Sequence, residues 1–165
     1  MKKRMLVSLF IAAVLISAMA VPAVADEEQT VGASVTVTEV ISITISDAPD
    51  PGIHFGSVAP DTTDNPDQDA DDTTPSVSID VASETNVNVD LQISGEDFSG
   101  SFLIGNAKYS TTYAGTKTAM TTTNTTFASG IEPGNSQDVW HWLDVPSGTT
   151  AGTYNSNFNY KAVQS

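Results

Sequence analysis

The stretch Val31-Gly32-Ala33-Ser34-Val35-Thr36-Val37-Thr38-Glu39-Val40-Ile41-Ser42-Ile43-Thr44-Ile45 decides how this chain is read. Val31, Ala33, Val35, Val37, Ile41, Ile43 and Ile45 share one parity, broken only by Glu39, and the positions between them are mostly Ser and Thr. Side chains alternate across an extended backbone, so this parity predicts a β-strand with one apolar and one hydroxyl face. At about 3.3 Å per residue such a strand reaches about 50 Å, well over twice the usual length. Either it is one strand that bends at Glu39 and crosses between two sheets, or its first half leaves the domain.

Period-two patterning continues downstream. Val77, Ile79 and Val81 share one face of Ser76–Val81, and Val87, Val89, Leu91 and Ile93 share one face of Val87–Ile93. The short Ala82–Asn86 link between them predicts a hairpin. Gln137–Leu143 carries bulk on both sides, with Val139, His141 and Leu143 opposite Trp140 and Trp142, which predicts a strand buried on both faces. In Tyr154–Val163 the residues Tyr154, Phe158, Tyr160 and Ala162 turn inward, and Asn155, Asn157, Asn159 and Lys161 turn outward. Ile53–Phe55 predicts a short strand, and Phe98–Ile104 a less regular one running on toward Tyr109. Ala119–Phe127 is threonine-rich and fits an edge strand or a loop. With no helical period, these seven or eight strands predict an all-β fold, an antiparallel immunoglobulin-like or jelly-roll β-sandwich.

The chain opens with Lys2, Lys3 and Arg4, an apolar run from Met5 to about Ala20, and the small-residue box Ala23-Val24-Ala25. That order predicts a secretory signal peptide over residues 1–25, and hence a secreted, extracellular or cell-surface protein. The expected organisation is then an N-terminal extension at 26–38 and one sandwich domain at 39–165. The three leader cations leave with the signal, moving the net charge from −14 to −17. So acidic a surface repels phosphate backbones and anionic head groups, which argues against nucleic acid or membrane-surface partners. There is no cysteine. Cohesion in an exported chain without disulfides must come from packing, a partner or an ion.

Candidate chemistry is sparse. Asp61–Pro75 contains six aspartates and no bulky apolar residue, so it predicts a solvated loop outside the core. Asp67, Asp69 and Asp71 alternate as a calcium loop requires, and with Asp64 and Asp72 they form a candidate calcium site. Asp72 stands where such a loop wants glycine, and Ser78 where it wants a bidentate Glu. His54 and His141 are isolated, and no nucleophile elbow or phosphate loop occurs, so an enzyme is not expected. Trp140 and Trp142 with Tyr109 and Tyr113 fit either a carbohydrate-binding platform or a buried anchor. Asn124-Thr125-Thr126 is an N-glycosylation sequon.

Three segments carry a resemblance: His54-Phe55-Gly56 after the first long strand, the alternating pair within Ser76–Gly95, and the closing run Val145–Val163. Together they resemble secreted pilins with an incomplete immunoglobulin-like sandwich, notably spore-coat-U-like subunits of chaperone–usher pili. The chain departs from these in lacking their cysteine pair. It looks closer to archaeal surface filament subunits and to biofilm matrix fibre proteins. The resemblance implies donor-strand complementation, with Val31, Ala33, Val35 and Val37 as the interface residues inserted into a second copy, and a homo-oligomer or filament as the product. A self-contained sandwich would instead suit a monomeric adhesive or carbohydrate-binding module, with or without calcium.

Overall fold

The computed structural model describes residues 31–46, 52–100 and 102–165. The expected signal peptide, and residues 26–30 of the expected extension, lie outside the described residues. The chain divides between Thr36 and Val37, and the compact unit below is Val37–Ser165.

Among the described residues nine strands form: β1 (Ile43–Ser46), β2 (Thr62–Pro66), β3 (Val77–Val81), β4 (Val89–Gly95), β5 (Ala107–Ser110), β6 (Thr118–Ala119), β7 (Thr125–Ile131), β8 (Ser136–Val145) and β9 (Phe158–Gln164). One sheet has the order β1-β3-β8-β5-β6 with β2 also on β8, and the other has the order β7-β4-β9. Every pairing is antiparallel. The fold is therefore the expected β-sandwich. No helix among the described residues is long and apolar enough to cross a membrane.

The parity of the sequence becomes the core. Val77, Ile79 and Val81 on β3 and Val139 and Leu143 on β8 bury the same cluster as Val89, Leu91 and Ile93 on β4. Burying each such side chain contributes about 1.5–3 kcal/mol, which is how a chain without disulfides holds two sheets together. On β9, Phe158, Tyr160 and Ala162 turn toward this cluster while Asn159 and Lys161 face solvent.

Several expectations are corrected. The long first strand is not continuous: only Ile43–Ser46 is strand, and residues 31–42 have no regular structure. Alternation fits a pleated backbone, but a ladder also needs a continuous partner strand, and among the described residues none pairs with the stretch before Ile43. The Ser76–Ile93 hairpin does not form, because β3 and β4 belong to different sheets. Their apolar faces meet across the core, so the link crosses from one layer to the other. Ile53–Phe55 forms no strand. The Asp61–Pro75 stretch is not wholly a loop, since Thr62–Pro66 is β2. The threonine-rich tract resolves into β6, a turn and the start of β7.

β2 and β3 occupy the same edge of β8. Pro66 pairs with Trp142 and Val77 with Val139, while β5 takes the opposite edge. Residues 67–76 are thus an excursion that interrupts the strand beside β8. Its two ends are tied at one point, where Asp67 N–H donates to the His141 carbonyl (3.1 Å) and His141 N–H donates to Ser76 Oγ (3.0 Å).

Candidate functional site

β9 pairs with β4 on one side and has no partner strand on the other among the described residues. A groove of about 980 Å³ lies along it, between β9 and the face made by Ile45, Val77, Leu143 and Val145. Every residue from Thr149 to Tyr160 lines this groove, inward and outward parities alike, so the groove follows the backbone of the closing segment. Its apolar wall is aromatic. Phe98 stacks on Phe102 (4.8 Å between ring centroids), Phe158 meets Phe98 edge-on (6.3 Å), and Tyr154 meets Phe102 edge-on (5.6 Å). Phe158 and Tyr160 stay half-buried, and Ile45 across the groove is 49% exposed. An open strand edge beside an uncovered apolar trough lacks both hydrogen-bond partners and packing partners.

The rim on the β1 side is the segment Gly52–Val58, held by the polar chain of the excursion. Asp67 is 1% exposed; its Oδ1 accepts from His54 N–H (3.1 Å), and Gln68 N–H donates to the His54 carbonyl (2.7 Å). Gly56 has φ +66°, and a Cβ there would overlap the Gln68 carboxamide. Glycine is required here both for its backbone freedom and for its lack of a side chain. Behind the groove, His141 Nε2 and Tyr160 Oη share a hydrogen bond of 2.7 Å. Asp67 Oδ2 and His141 Nδ1 are buried and have no hydrogen-bond partner among the described residues.

At the other end of β1 the chain leaves the compact unit. Antiparallel pairing sets Ile43 against Val81 and Ser46 against Ser78, so residues before β1 emerge beside the β3–β4 connection, while the groove lies toward Val77. Val31, Val35 and Val37 are 90%, 86% and 77% exposed, and Ala33 is exposed too.

The structure does not bring the calcium candidates together. Asp64 faces Lys108 (3.0 Å) and Lys117 (3.2 Å), and Lys108 also meets Asp144 (2.6 Å). The Lys108 hydrogen bond, ahead of Lys117, holds the Asp64 carboxyl below its ordinary range. Asp67 is enclosed, the Asp69 N–H turns toward Asp67 Oδ1 (3.4 Å), and Asp72 is exposed. Asp71 Oδ1 accepts from Thr73 N–H, Thr73 Oγ1 and Thr74 N–H, each at 2.8 Å, and these bonds, Thr73 first, lower its carboxyl. Among the described residues no three acidic or histidine side chains stand where they would share a metal.

Nor do the aromatics make one platform. Tyr109 faces the core against Phe127 (6.1 Å), where burial raises its phenol. Trp140 lies under the excursion, its Nε1–H donating to the carbonyls of Asp71 (2.7 Å) and Thr74 (3.1 Å). Trp142 is covered by Tyr113 (5.9 Å) and by Lys117 Nζ (4.6 Å from the ring centroid). Both tryptophans are buried as anchors, on the outer side of their sheet beneath loops. Asn124 is exposed just before β7.

These features define a class: a two-sheet antiparallel β-sandwich whose closing strand, among the described residues, has one edge without a partner beside an apolar groove. Comparison with protein-family models, with curated proteins and with solved structures gives no match. Sequence reasoning did not locate the groove along Thr149–Tyr160 and did not foresee the enclosure of Asp67. The clue to Asp67 was its place directly after a strand, where a carboxylate can take local backbone N–H groups.

Proposed function

We propose that this protein is a non-enzymatic structural subunit of an extracellular filament or surface matrix, in which Val31–Val37 of one copy lies in the groove beside β9 of the next. The observation that supports it is the groove along an unpaired strand edge in a chain that also carries an uncovered segment of alternating valines. A strand laid there satisfies β9's free backbone groups and covers Ile45 and Phe158 in one step. Burying each valine of the segment adds about 1.5–3 kcal/mol.

Charge favours this segment as the contact. At −17, two copies repel, yet Val31–Thr38 carries no charge and can enter a second copy without burying a carboxylate. Donor exit and acceptor groove lie at different ends of β1, so successive contacts are heterologous and run head to tail, the geometry from which a filament grows. The expected signal peptide and the absence of cysteine suit a subunit that acts outside the cell and gains cohesion from its neighbours.

The test is negative-stain electron microscopy with light scattering on the chain from Asp26 to Ser165, beside Val35→Asp/Val37→Asp and a deletion of residues 26–36. Filaments from the first, and folded monomers from the other two, are expected. A wild-type chain that stays monomeric would sink the proposal and favour a monomeric adhesive module.

A further inference from the structure

Residues 38–42 have no strand partner, yet their backbone is held on alternate residues. Asn86 Oδ1 accepts from Val40 N–H (2.9 Å), Asn86 N–H donates to the Val40 carbonyl (3.2 Å), and Asn86 Nδ2 donates to the Thr38 carbonyl (2.9 Å). Thr85 Oγ1 accepts from Ser42 N–H (3.1 Å) and donates to the Ser42 carbonyl (3.2 Å), which also accepts from Ala82 N–H (2.9 Å). Residues 38, 40 and 42 share one edge of an extended backbone, the edge an antiparallel neighbour would serve. Here a carboxamide, with the donor and acceptor of a peptide group, stands in for that neighbour. The β1 ladder, which ends at Ile43 and Val81, is thereby prolonged to Thr38 by the side chains of the β3–β4 link. The next residue outward, Val37, is 77% exposed.

We infer that Asn86 is the positioning residue of the donated segment: it fixes the backbone at Thr38 and Val40, so that Val31–Val37 departs from an ordered anchor. This rests on the strand-exchange reading above. Ordering a residue's backbone costs about 1–2 kcal/mol, and for residues 38–42 that cost is met when the subunit folds instead of when it docks. The anchor also shortens the free tether, which sets the register in which the valines reach the neighbouring groove. Asn86 is exposed and outside the core, so it can be changed without opening the sandwich. Alanine removes both side-chain bonds and keeps the Asn86 N–H bond.

The test is Asn86→Ala in the chain from Asp26 to Ser165, with three readouts. Thermal unfolding is expected to remain one cooperative transition at a modestly lower temperature, since Asn86 lies outside the core. Amide exchange at Val40, measured with Val35→Asp added to keep the protein monomeric, is expected to accelerate at least about tenfold, since bonds worth about 1 kcal/mol each are lost and 1.4 kcal/mol is tenfold. Elongation followed by light scattering is expected to slow by about the same factor. Unchanged Val40 exchange overturns the clamp. Fast exchange with wild-type elongation overturns the positioning role and leaves strand exchange standing. Failure of the wild-type chain to assemble removes strand exchange, and this inference with it.

Discussion

His141 on β8 and Tyr160 on β9 are hydrogen-bonded at 2.7 Å across the inside of the sandwich, joining the two sheets behind the groove. Burial pushes the imidazole down to about 3, against a smaller opposing pull from the Lys108 backbone. Burial first, and the nearby Asp67 charge second, raises the Tyr160 phenol well above its ordinary range. The pair is therefore neutral at neutral pH. The hydrogen bond behind the groove thus joins two uncharged groups although the chain around it is strongly acidic.

The sign of the resulting pH dependence follows. The unfolded imidazole takes a proton as pH falls through about 6.5, whereas the folded one resists until about 3. Between those values the unfolded state binds more protons, so stability drains as pH falls, by at most about 1.4 kcal/mol per pH unit from this group. Urea unfolding across this range is expected to show that slope, and His141→Gln is expected to flatten it. An equally steep slope in the variant would place the titrating group elsewhere.

Gly56→Ala is expected to cost about 1–3 kcal/mol, because φ +66° strains an L-residue and the new Cβ meets Gln68. Adding Gln68→Ala removes the overlap and not the strain, so the double variant is expected to recover only part of the loss. Thermal unfolding of the two variants measures both parts, and full recovery would show that sterics alone matter.

Asp64→Asn separates Lys108 and Lys117 from their shared acceptor on β2. The cluster lies at the surface and is partly exposed, so the expected loss is under about 1 kcal/mol at low ionic strength and shrinks at high salt. Denaturant midpoints at two salt concentrations check this. A loss that persists in high salt would mean that the Asp64 backbone, at φ 56°, depends on its side chain.

Trp140→Phe keeps the bulk over β8 and deletes the indole donor to the Asp71 and Thr74 carbonyls. The expected cost is about 1 kcal/mol, with faster proteolysis within residues 67–76. Because Asp64 is engaged by lysines and Asp67 is enclosed, calcium is expected to leave the melting temperature unchanged. A melting temperature that climbs with calcium concentration would instead assign the excursion as a cation site.

Much of the architecture is legible in single segments. The parity of Val77, Ile79 and Val81, of Val89, Leu91 and Ile93, and of Phe158, Tyr160 and Ala162 predicts which side chains go inside, because a strand's alternation is a local property of its backbone. The bulk on both sides of Gln137–Leu143 likewise predicts a strand covered on both faces, and β8 is one. Pairing is not local. Nothing in Ala82–Asn86 distinguishes a hairpin turn from a step between sheets, and nothing in the alternation of Val31–Ile45 says where its hydrogen-bond partners end.

The candidate site divides in the same way. Its materials were visible in sequence: an uncharged run of alternating valines, a closing segment with aromatic residues on one face, and a cluster of aspartates. What these groups face was decided by the tertiary structure. Asp67 is polar in composition and enclosed in place, because His54 and Asp69 turn backbone N–H groups toward it and Tyr160 lies nearby. The sequence by itself determined the alternation, the charge and the lack of disulfides, since these depend on neighbours along the chain. Only the tertiary structure decided that β9, among the described residues, has β4 as its one partner strand and that Asn86 holds Thr38, because each is a meeting of segments distant in sequence.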